Sequence, residues 1–161
     1  MSENIQAKNS YLIGIISDTH GRLPQSVAPV FKKAYLIIHA GDIGYPKIIA
    51  DLATIAPTKA GRGNMDMGAW TDRLGINQTI TIRDKRLYVI HDVHDLDRKP
   101  GASAYHVVIY GHTHRPQVDK QHGVLYLNPG SAVQPRYGFP PSVALLEIQD
   151  DTINARLVDL S

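Results

Sequence analysis

Short apolar runs, separated by polar segments with prolines, mark the first third of the chain. Tyr11–Ser17 and Tyr35–His39 are mostly apolar, which is typical of strands buried on both faces of a sheet. Pro24 can open a helix that runs for about ten residues, and Pro46 opens a second helix with apolar residues at helical spacing. Pro57–Ala60 completes a β-α-β-α-β order, which predicts parallel strands joined by right-handed crossovers.

The second half of the chain changes to patterns that are typical of antiparallel β-structure. Gln78–Ile82 and Arg86–Ile90 flank a predicted turn at Asp84 and Lys85, and Val107–Tyr110 is a further buried strand. Two more hairpins are predicted, one with Val118 and Val124–Leu127 and one with Ser142–Ile148 and Thr152–Val158. The sequence therefore predicts one α/β domain that is parallel first and antiparallel afterwards.

The composition fits a globular domain and narrows the candidate chemistry. Hydrophobic residues make up 43% and charged residues 20% of the 161 positions, enough for one domain with a buried core. The chain has no cysteine, which excludes disulfides, thiolate metal sites and cysteine nucleophiles. A net charge of +2 gives no clear nucleic-acid footprint. Eight histidines leave imidazole, carboxylate and amide groups as candidate metal ligands.

The N-terminal segment and the hydropathy of the chain predict a cytoplasmic protein. Residues 1–10 are polar and lack the apolar core of a signal peptide, so we expect a flexible extension before a single domain at 11–161. No apolar run approaches the roughly 18 residues of a membrane span, and no membrane partner is expected.

Side chains that bind metals follow the apolar runs at five places along the chain. They are Asp18 and His20 after the first strand, Asp42 after the second, Asn64 after the third, His91 at the end of the fourth apolar run, and His112 and His114 after the fifth. Ligands of open α/β sheets collect beyond the carboxyl ends of the strands, so these side chains can converge at one edge. If the segments remain extended, the two members of each Asp-x-His or His-x-His pair point to the same side.

These seven candidate ligands exceed the number that one transition metal takes from a protein. They suit two metals that share a bridging carboxylate, and their oxygen and imidazole donors favour manganese, iron, cobalt, nickel or zinc over calcium or magnesium. Two such ions can ionise a bridging water and stabilise an in-line displacement at phosphorus. The predicted cofactors are therefore two divalent transition-metal ions, with Mn²⁺ preferred and Ni²⁺, Co²⁺, Fe²⁺ or Zn²⁺ as alternatives.

The five ordered motifs resemble those of the calcineurin-like metallophosphoesterase superfamily. The resemblance is carried by SDTHG at 17–21, HAGD at 39–42, GNMD at 63–66, YGHTHRP at 110–116 and NPGS at 128–131. They are similar to the small, single-domain YfcE-type phosphodiesterase branch over roughly 11–157. The resemblance implies that 11–161 is a metallophosphoesterase domain, a four-layer α/β/β/α sandwich of two mixed sheets flanked by helices.

The same resemblance implies a role for each ligand. It assigns Asp18, His20 and His114 to one metal and Asn64, His91 and His112 to the other, with Asp42 as the bridge. It also implies a metal-dependent phosphodiesterase, in which a metal-bridging hydroxide attacks the phosphorus of a small phosphodiester.

Further residues are predicted to act on the substrate. Asp42, Asn64 and His94 are the predicted catalytic residues, with His94 as a proton donor or phosphate contact. Arg22, Arg62 and Arg136 follow or precede motifs and are candidates for bidentate phosphate binding. His39, three residues before the bridging aspartate, is a candidate for a hydrogen bond that supports the site.

Several departures from the family pattern affect the expected chemistry. Met65 stands where superfamily phosphatases commonly have a proton-donating histidine, and Tyr45 replaces a second aspartate. The usual His-Gly-His motif reads His91-Asp92-Val93-His94, and the short crossover that follows predicts a loop in place of a helix. Two alternatives stay open: a phosphomonoesterase or nucleotidase of the same fold, and a non-catalytic protein-binding scaffold such as a eukaryotic retromer subunit. Homo-oligomerisation also stays open.

Overall fold

The computed structural model describes residues 10–96 and 104–161, in which ten strands form two sheets. The strands are β1 Ser10–Ile16, β2 Leu36–His39, β3 Thr58–Ala60, β4 Asn77–Ile82, β5 Lys85–Ile90, β6 Val107–Ile109, β7 Gln117–Gln121, β8 Val124–Asn128, β9 Ser142–Gln149 and β10 Thr152–Asp159. The helices are α1 Val27–Phe31 and α2 Pro46–Ala53, with 3-10 turns at Ala69–Arg73 and Val93–Asp95. The predicted strand positions are confirmed, with ends that differ by one or two residues.

Both sheets are mixed, as the predicted fold requires. The first has the order β10-β9-β1-β2-β3, in which β1, β2 and β3 are parallel and the terminal hairpin β9–β10 adds antiparallel strands. The second has the order β4-β5-β6-β8-β7. Its centre, β5-β6-β8, is parallel, and only the edge strands β4 and β7 are antiparallel. The expectation of a purely antiparallel second half is wrong, because the connections around β6 are long enough to return the chain to the same end.

The two sheets pack face to face through an apolar layer that includes Ile13, Leu87 and Ile109. The helices α1 and α2 cover the outer face of the first sheet, where Phe31 and Leu52 are fully buried. The outer face of the second sheet has a smaller cluster, which Val93 and Leu96 partly cover. The predicted loop-like crossover between β5 and β6 falls in part on 97–103, outside the described residues. The predicted N-terminal extension likewise lies outside them, apart from Ser10 at the start of β1.

The first helix is shorter than the sequence predicts. It begins at Val27, after a turn in which the Val27 amide donates to the carbonyl of Pro24. Pro29 explains why the helix begins later than predicted. In a helix that began at Pro24, Pro29 would lie beyond the first turn, and its missing amide would remove a backbone hydrogen bond. In the observed helix it is the third residue, where amides have no partner within the helix.

Candidate metal centre

The candidate ligands lie at the carboxyl ends of parallel strands, where backbone hydrogen bonds join the loops. The amide of Asp18 after β1 donates to the carbonyl of Gly41 after β2, at 3.0 Å. The amide of Gly111 after β6 donates to the carbonyl of His91 after β5, also at 3.0 Å. Each of these bonds joins neighbouring loops of one sheet, and the His112 amide, which donates to Oδ2 of Asp18 at 3.0 Å, links the loops of the two sheets.

The first ligand group comprises Asp18, His20 and His114, whose ligand atoms all lie within 4.8 Å of one another. The Nε2 atoms of His20 and His114 are 3.2 Å apart, and Oδ1 of Asp18 is 3.4 Å from Nε2 of His114. Two nitrogens bound to one ion at about 2.1 Å lie roughly 3.4 Å apart in tetrahedral geometry. The observed spacing is therefore that of ligands to a common ion.

The second ligand group comprises Asp42, His91 and His112, again within 4.8 Å. Oδ2 of Asp42 is 3.2 Å from Nε2 of His91 and 4.0 Å from Nε2 of His20, so this carboxylate lies between the two groups. Asn64 lies beside the second group, with Oδ1 3.2 Å from Nδ1 of His112. The structure thus brings together all seven predicted ligands, and the bridging role of Asp42 stays a prediction.

Two buried polar atoms of the centre have no hydrogen-bond partner among the described residues, Oδ1 of Asp18 and Nε2 of His91. The other polar atoms of these side chains are held in place. Oδ2 of Asp18 accepts from the Ser17 hydroxyl and the His112 amide, and Nδ1 of His91 donates to the Ala40 carbonyl. An unpartnered buried group costs about 1–3 kcal/mol. Divalent cations would give both atoms a partner, so the donor set fits the predicted metals.

Protons compete with metal ions at these histidines. Burial alone would lower the pKa of His91, but the neighbouring Asp42 and Asp18 outweigh it and raise the pKa above its ordinary value. The Asp18 carboxylate likewise raises the pKa of His114, whose Nδ1 donates to the Gln134 carbonyl at 2.6 Å. Metal binding requires neutral imidazoles, so affinity falls as the pH falls through these raised values.

Five of the seven ligands have left-handed backbone conformations, with φ between 46° and 73°. They are Asp18, His20, Asp42, His112 and His114. The segments therefore do not remain extended, which was the condition for each pair to point to one side, and the left-handed backbone turns these side chains away from the strand direction. Such conformations cost of order 1–3 kcal/mol each and persist where the surroundings enforce them, typically at functional sites.

Close approach of the loops explains two of the glycines in the motifs. A Cβ atom on Gly41 would lie 2.6 Å from Nδ1 of His91, in a backbone conformation with φ of 107°. A Cβ atom on Gly111 would lie 2.6 Å from Oδ2 of Asp18. A larger residue at either position would displace a ligand.

Asp66 is a structural element of the centre to which sequence reasoning gave no role. This buried carboxylate accepts from the amides of Ile43 and Gly44 with Oδ1, at 2.8 and 3.1 Å, and from the amide of Gly63 with Oδ2, at 2.9 Å. It therefore fastens the residue after Asp42 to the residue before the Asn64 ligand. Its place in the GNMD string was the only available signal, since the contacts are formed across two loops.

The NPGS loop after β8 supports the first motif from the other side. The Ser131 hydroxyl donates to the carbonyl of Asp18 at 2.8 Å and accepts from the amide of Gln134. The Asn128 amide group donates to the Gly111 carbonyl and to the hydroxyl of Thr113. The NPGS loop thereby holds both the segment at Asp18 and the segment at Gly111 and Thr113 in place.

Comparison with known proteins agrees with this geometry. A family model described as the calcineurin-like phosphoesterase superfamily domain matches residues 11–151. The chain belongs to this superfamily. A probable metallophosphoesterase from Methanothermobacter thermautotrophicus is 35% identical over an alignment of 161 positions, which covers 91% of this chain and 91% of the relative. Phosphodiesterase YfcE from Escherichia coli K12 is 27% identical over 81% of this chain and 84% of its own. A structure of Vps29 from Entamoeba histolytica with Zn²⁺ has a TM-score of 0.72 and 22% identity, and the match covers 93% of this chain and 99% of that chain.

Superfamily membership establishes the predicted family and fold and supports divalent metal ions as cofactors. The two mixed sheets agree with the predicted α/β sandwich, and these relatives share the fold. The described residues of the chain include no helix of the length and apolarity that crossing a bilayer requires.

The predicted substrate-binding residues of the chain differ in their contacts and exposure. Arg62 lines a cleft beside the second ligand group, and its Nε donates to the Asp66 carbonyl. Arg136 is exposed, and its charge acts on the His114 imidazole. Arg22 is exposed after the first motif. Their contacts with phosphate stay predictions.

The predicted proton donor His94 is not among the described residues that line this cleft. Its imidazole is 72% exposed, and Nδ1 lies 3.0 Å from Oδ1 of Asp92. The other carboxylate oxygen of Asp92 lies 3.7 Å from Nε2 of His112. Asp92, which sequence reasoning noted only as a departure from glycine, therefore lies between His94 and a ligand.

His39 supports the centre as a neutral imidazole. The Gly41 amide donates to its Nδ1 at 3.0 Å, and its Nε2 lies 2.9 Å from the hydroxyl of Thr19. That hydroxyl donates to the Ile43 carbonyl, so Nε2 of His39 must carry the proton. Burial is the main reason that its pKa falls from 6.5 to about 3. His39 thus hydrogen-bonds to Thr19 in the loop after β1 and to Gly41 in the loop after β2. This is the supporting role that the sequence predicts.

The buried imidazole makes stability depend on pH in a defined direction. Between pH 6.5 and about 3, the unfolded chain binds a proton at His39 that the folded chain does not, so stability falls with acidification. This group contributes a loss of about 2 kcal/mol between pH 7 and pH 5. His39→Gln keeps an acceptor and a donor without the titration. Urea unfolding in chelator should show the stability gap between parent and variant shrinking by that amount at pH 5, and a constant gap would contradict the prediction.

Metal binding should stabilise the fold, because it satisfies the unpartnered atoms of Asp18 and His91. At 100 times its dissociation constant, one bound ion adds about 2.7 kcal/mol. For a chain of this size, that corresponds to a rise in Tm of roughly 5–10 °C. Differential scanning fluorimetry with Mn²⁺, before and after EDTA, measures the effect. His20→Ala should lose it, whereas a rise of equal size in that variant would indicate binding elsewhere.

Proposed function

We propose that this protein is a phosphodiesterase whose centre holds two divalent transition-metal ions, with Mn²⁺ preferred. The observation that carries the proposal is the pair of ligand groups that face one another across the Asp42 carboxylate. The superfamily and the phosphodiesterase name of the YfcE relative support the reaction class.

Each of the two ligand groups would hold one of the ions. Asp18, His20 and His114 would hold the first ion, and Asn64, His91 and His112 the second, with Asp42 shared. Bound ions of this kind supply Lewis acidity and a nucleophilic water at neutral pH. The buried hydrogen bonds of Asp18 and His91 hold these ligands in fixed orientations, which lowers the cost of reorganisation during the reaction.

The residue at the usual proton-donor position favours substrates with good leaving groups. The Met65 amide donates to Oδ1 of Asp42 at 2.8 Å, and its side chain is 63% exposed and has no proton to give. Among the described residues that line the cleft, none is a histidine outside the ligand set. A diester that releases a stabilised oxyanion needs no such donor, whereas an alkyl monoester gains about 10²–10⁴-fold from one.

Parallel assays of bis(4-nitrophenyl) phosphate and 4-nitrophenyl phosphate test the function. Protein stripped with EDTA and reloaded with Mn²⁺ should cleave the diester with the higher kcat/KM and lose the activity again on chelation. A preference for the monoester would favour the phosphatase alternative. No turnover of either ester, together with a stoichiometric protein partner in a pull-down, would favour the scaffold alternative.

A further inference from the structure

A cleft of about 290 Å³ opens from the second ligand group toward solvent. Asn64, His91 and His112 are among its lining residues, so the cleft and the candidate centre are continuous. A phosphate held at the centre would direct one of its ester groups into this space. The chemistry of the cleft walls therefore bears on which esters bind.

One part of the wall is apolar. Met67 and Ile76 line the cleft with side chains that are 76% and 71% exposed, and the buried Ile90 lies behind them. Large apolar side chains with such exposure next to a polar centre often mark a ligand-binding surface. An aryl or similar flat apolar group would cover them and remove their surface from water.

Another part of the wall is acidic. Asp92 and Asp95 both line the cleft, whereas Arg62 is the single cationic side chain among its described lining residues. The Nε of Arg62 is already engaged by the Asp66 carbonyl. Besides the candidate ligands, the described lining thus has three carboxylates against one guanidinium, and one of the three, Asp66, is buried and bonded to backbone amides. A second negative charge on the ester group would be repelled there.

We propose that this cleft receives the organic group of the phosphate ester and selects an uncharged, apolar group over one that has a further negative charge. The inference rests on the proposed function, because it requires the phosphate to bind at the metal centre. Asp95 determines the preference against a further negative charge. Met67 and Ile76 determine the preference for an apolar group.

Binding of non-hydrolysable phosphonates tests the selectivity without turnover. Isothermal titration calorimetry on the Mn²⁺-loaded protein compares phenylphosphonate, methylphosphonate and 4-carboxyphenylphosphonate, each of which has one organic group. The phenyl compound should bind about tenfold more tightly than the methyl compound, from the apolar area it buries. It should also bind about fivefold more tightly than the carboxyphenyl compound, from repulsion by partly exposed charges.

Matched variants separate the two contributions. Asp95→Lys should abolish or reverse the preference against the carboxylate and leave the phenyl-to-methyl ratio unchanged. Met67→Ser and Ile76→Ser should reduce the phenyl-to-methyl ratio about threefold each, from a partial loss of apolar contact. Asp151→Lys, on the exposed β9–β10 turn with a side chain that is 96% exposed, is the control and should change neither ratio. Metal content of each variant confirms that the centre is intact.

The outcomes distinguish this inference from the proposed function. Equal affinity for the phenyl and carboxyphenyl compounds, or a preference that Asp95→Lys does not change, would overturn the cleft proposal even if the protein hydrolyses diesters. Selective phosphonate binding without any diester hydrolysis would instead overturn the proposed function and retain the selectivity of the cleft.

Discussion

Replacing Asp42 with asparagine should reduce kcat/KM for bis(4-nitrophenyl) phosphate by about 1000-fold, because it removes the carboxylate between the two ligand groups. The amide of asparagine can still accept the hydrogen bond from the Met65 amide to Oδ1, so the loop keeps its main support. The expected loss is therefore one of charge and metal binding and leaves the fold intact. Elemental analysis should show fewer than two bound ions per chain.

A surface aspartate provides the control for this experiment. Asp51→Asn on α2 removes the same charge from an exposed ion pair with Lys47, and Asp51 belongs to neither ligand group. It should leave both activity and metal content unchanged. If Asp42→Asn retained more than about a tenth of the parental activity, a bridging role for this carboxylate would be untenable.

Replacing Asp66 with asparagine should cost about 2–4 kcal/mol of unfolding free energy, although the side chain is not a candidate ligand. The two carboxylate oxygens accept three backbone amides, from Ile43, Gly44 and Gly63. Asparagine has one acceptor oxygen, so in either orientation its own NH₂ group faces a backbone donor. Urea unfolding of the metal-free protein measures this effect.

The same variant should also weaken Mn²⁺ binding, since Asp66 holds the segments that position Asp42 and Asn64. Asp72→Asn, an exposed aspartate in the nearby 3-10 turn, is the matched control and should change neither property by more than a few tenths of a kcal/mol. A stability loss below about 0.5 kcal/mol in Asp66→Asn would contradict the role given to its hydrogen bonds.

The strands and the edge at which the ligands meet could be predicted from local patterns. Buried strands such as β1 and β2 are read from continuous apolar runs, and parallel strands place their carboxyl ends together. The parallel pairing of β5, β6 and β8 could not be read in this way. Pairing direction depends on where the connections run, and the residues of a strand carry little information about it.

The position at which α1 begins depends on two prolines near its start. Pro24 and Pro29 can each occupy the first turn of a helix, and the sequence pattern does not say which one does. The observed start at Val27 places Pro29 in the first turn, where its missing amide is harmless.

The chain by itself determined which side chains could serve as metal ligands and at which strand ends they lie, because residue type and strand order are both properties of the sequence. Tertiary structure decided how they meet. The left-handed backbone at Asp18 and Asp42, the three amides held by Asp66 and the neutral state of His39 all arise from contacts between loops distant in sequence. Burial and hydrogen bonds to other loops set these features, and no local pattern encodes them.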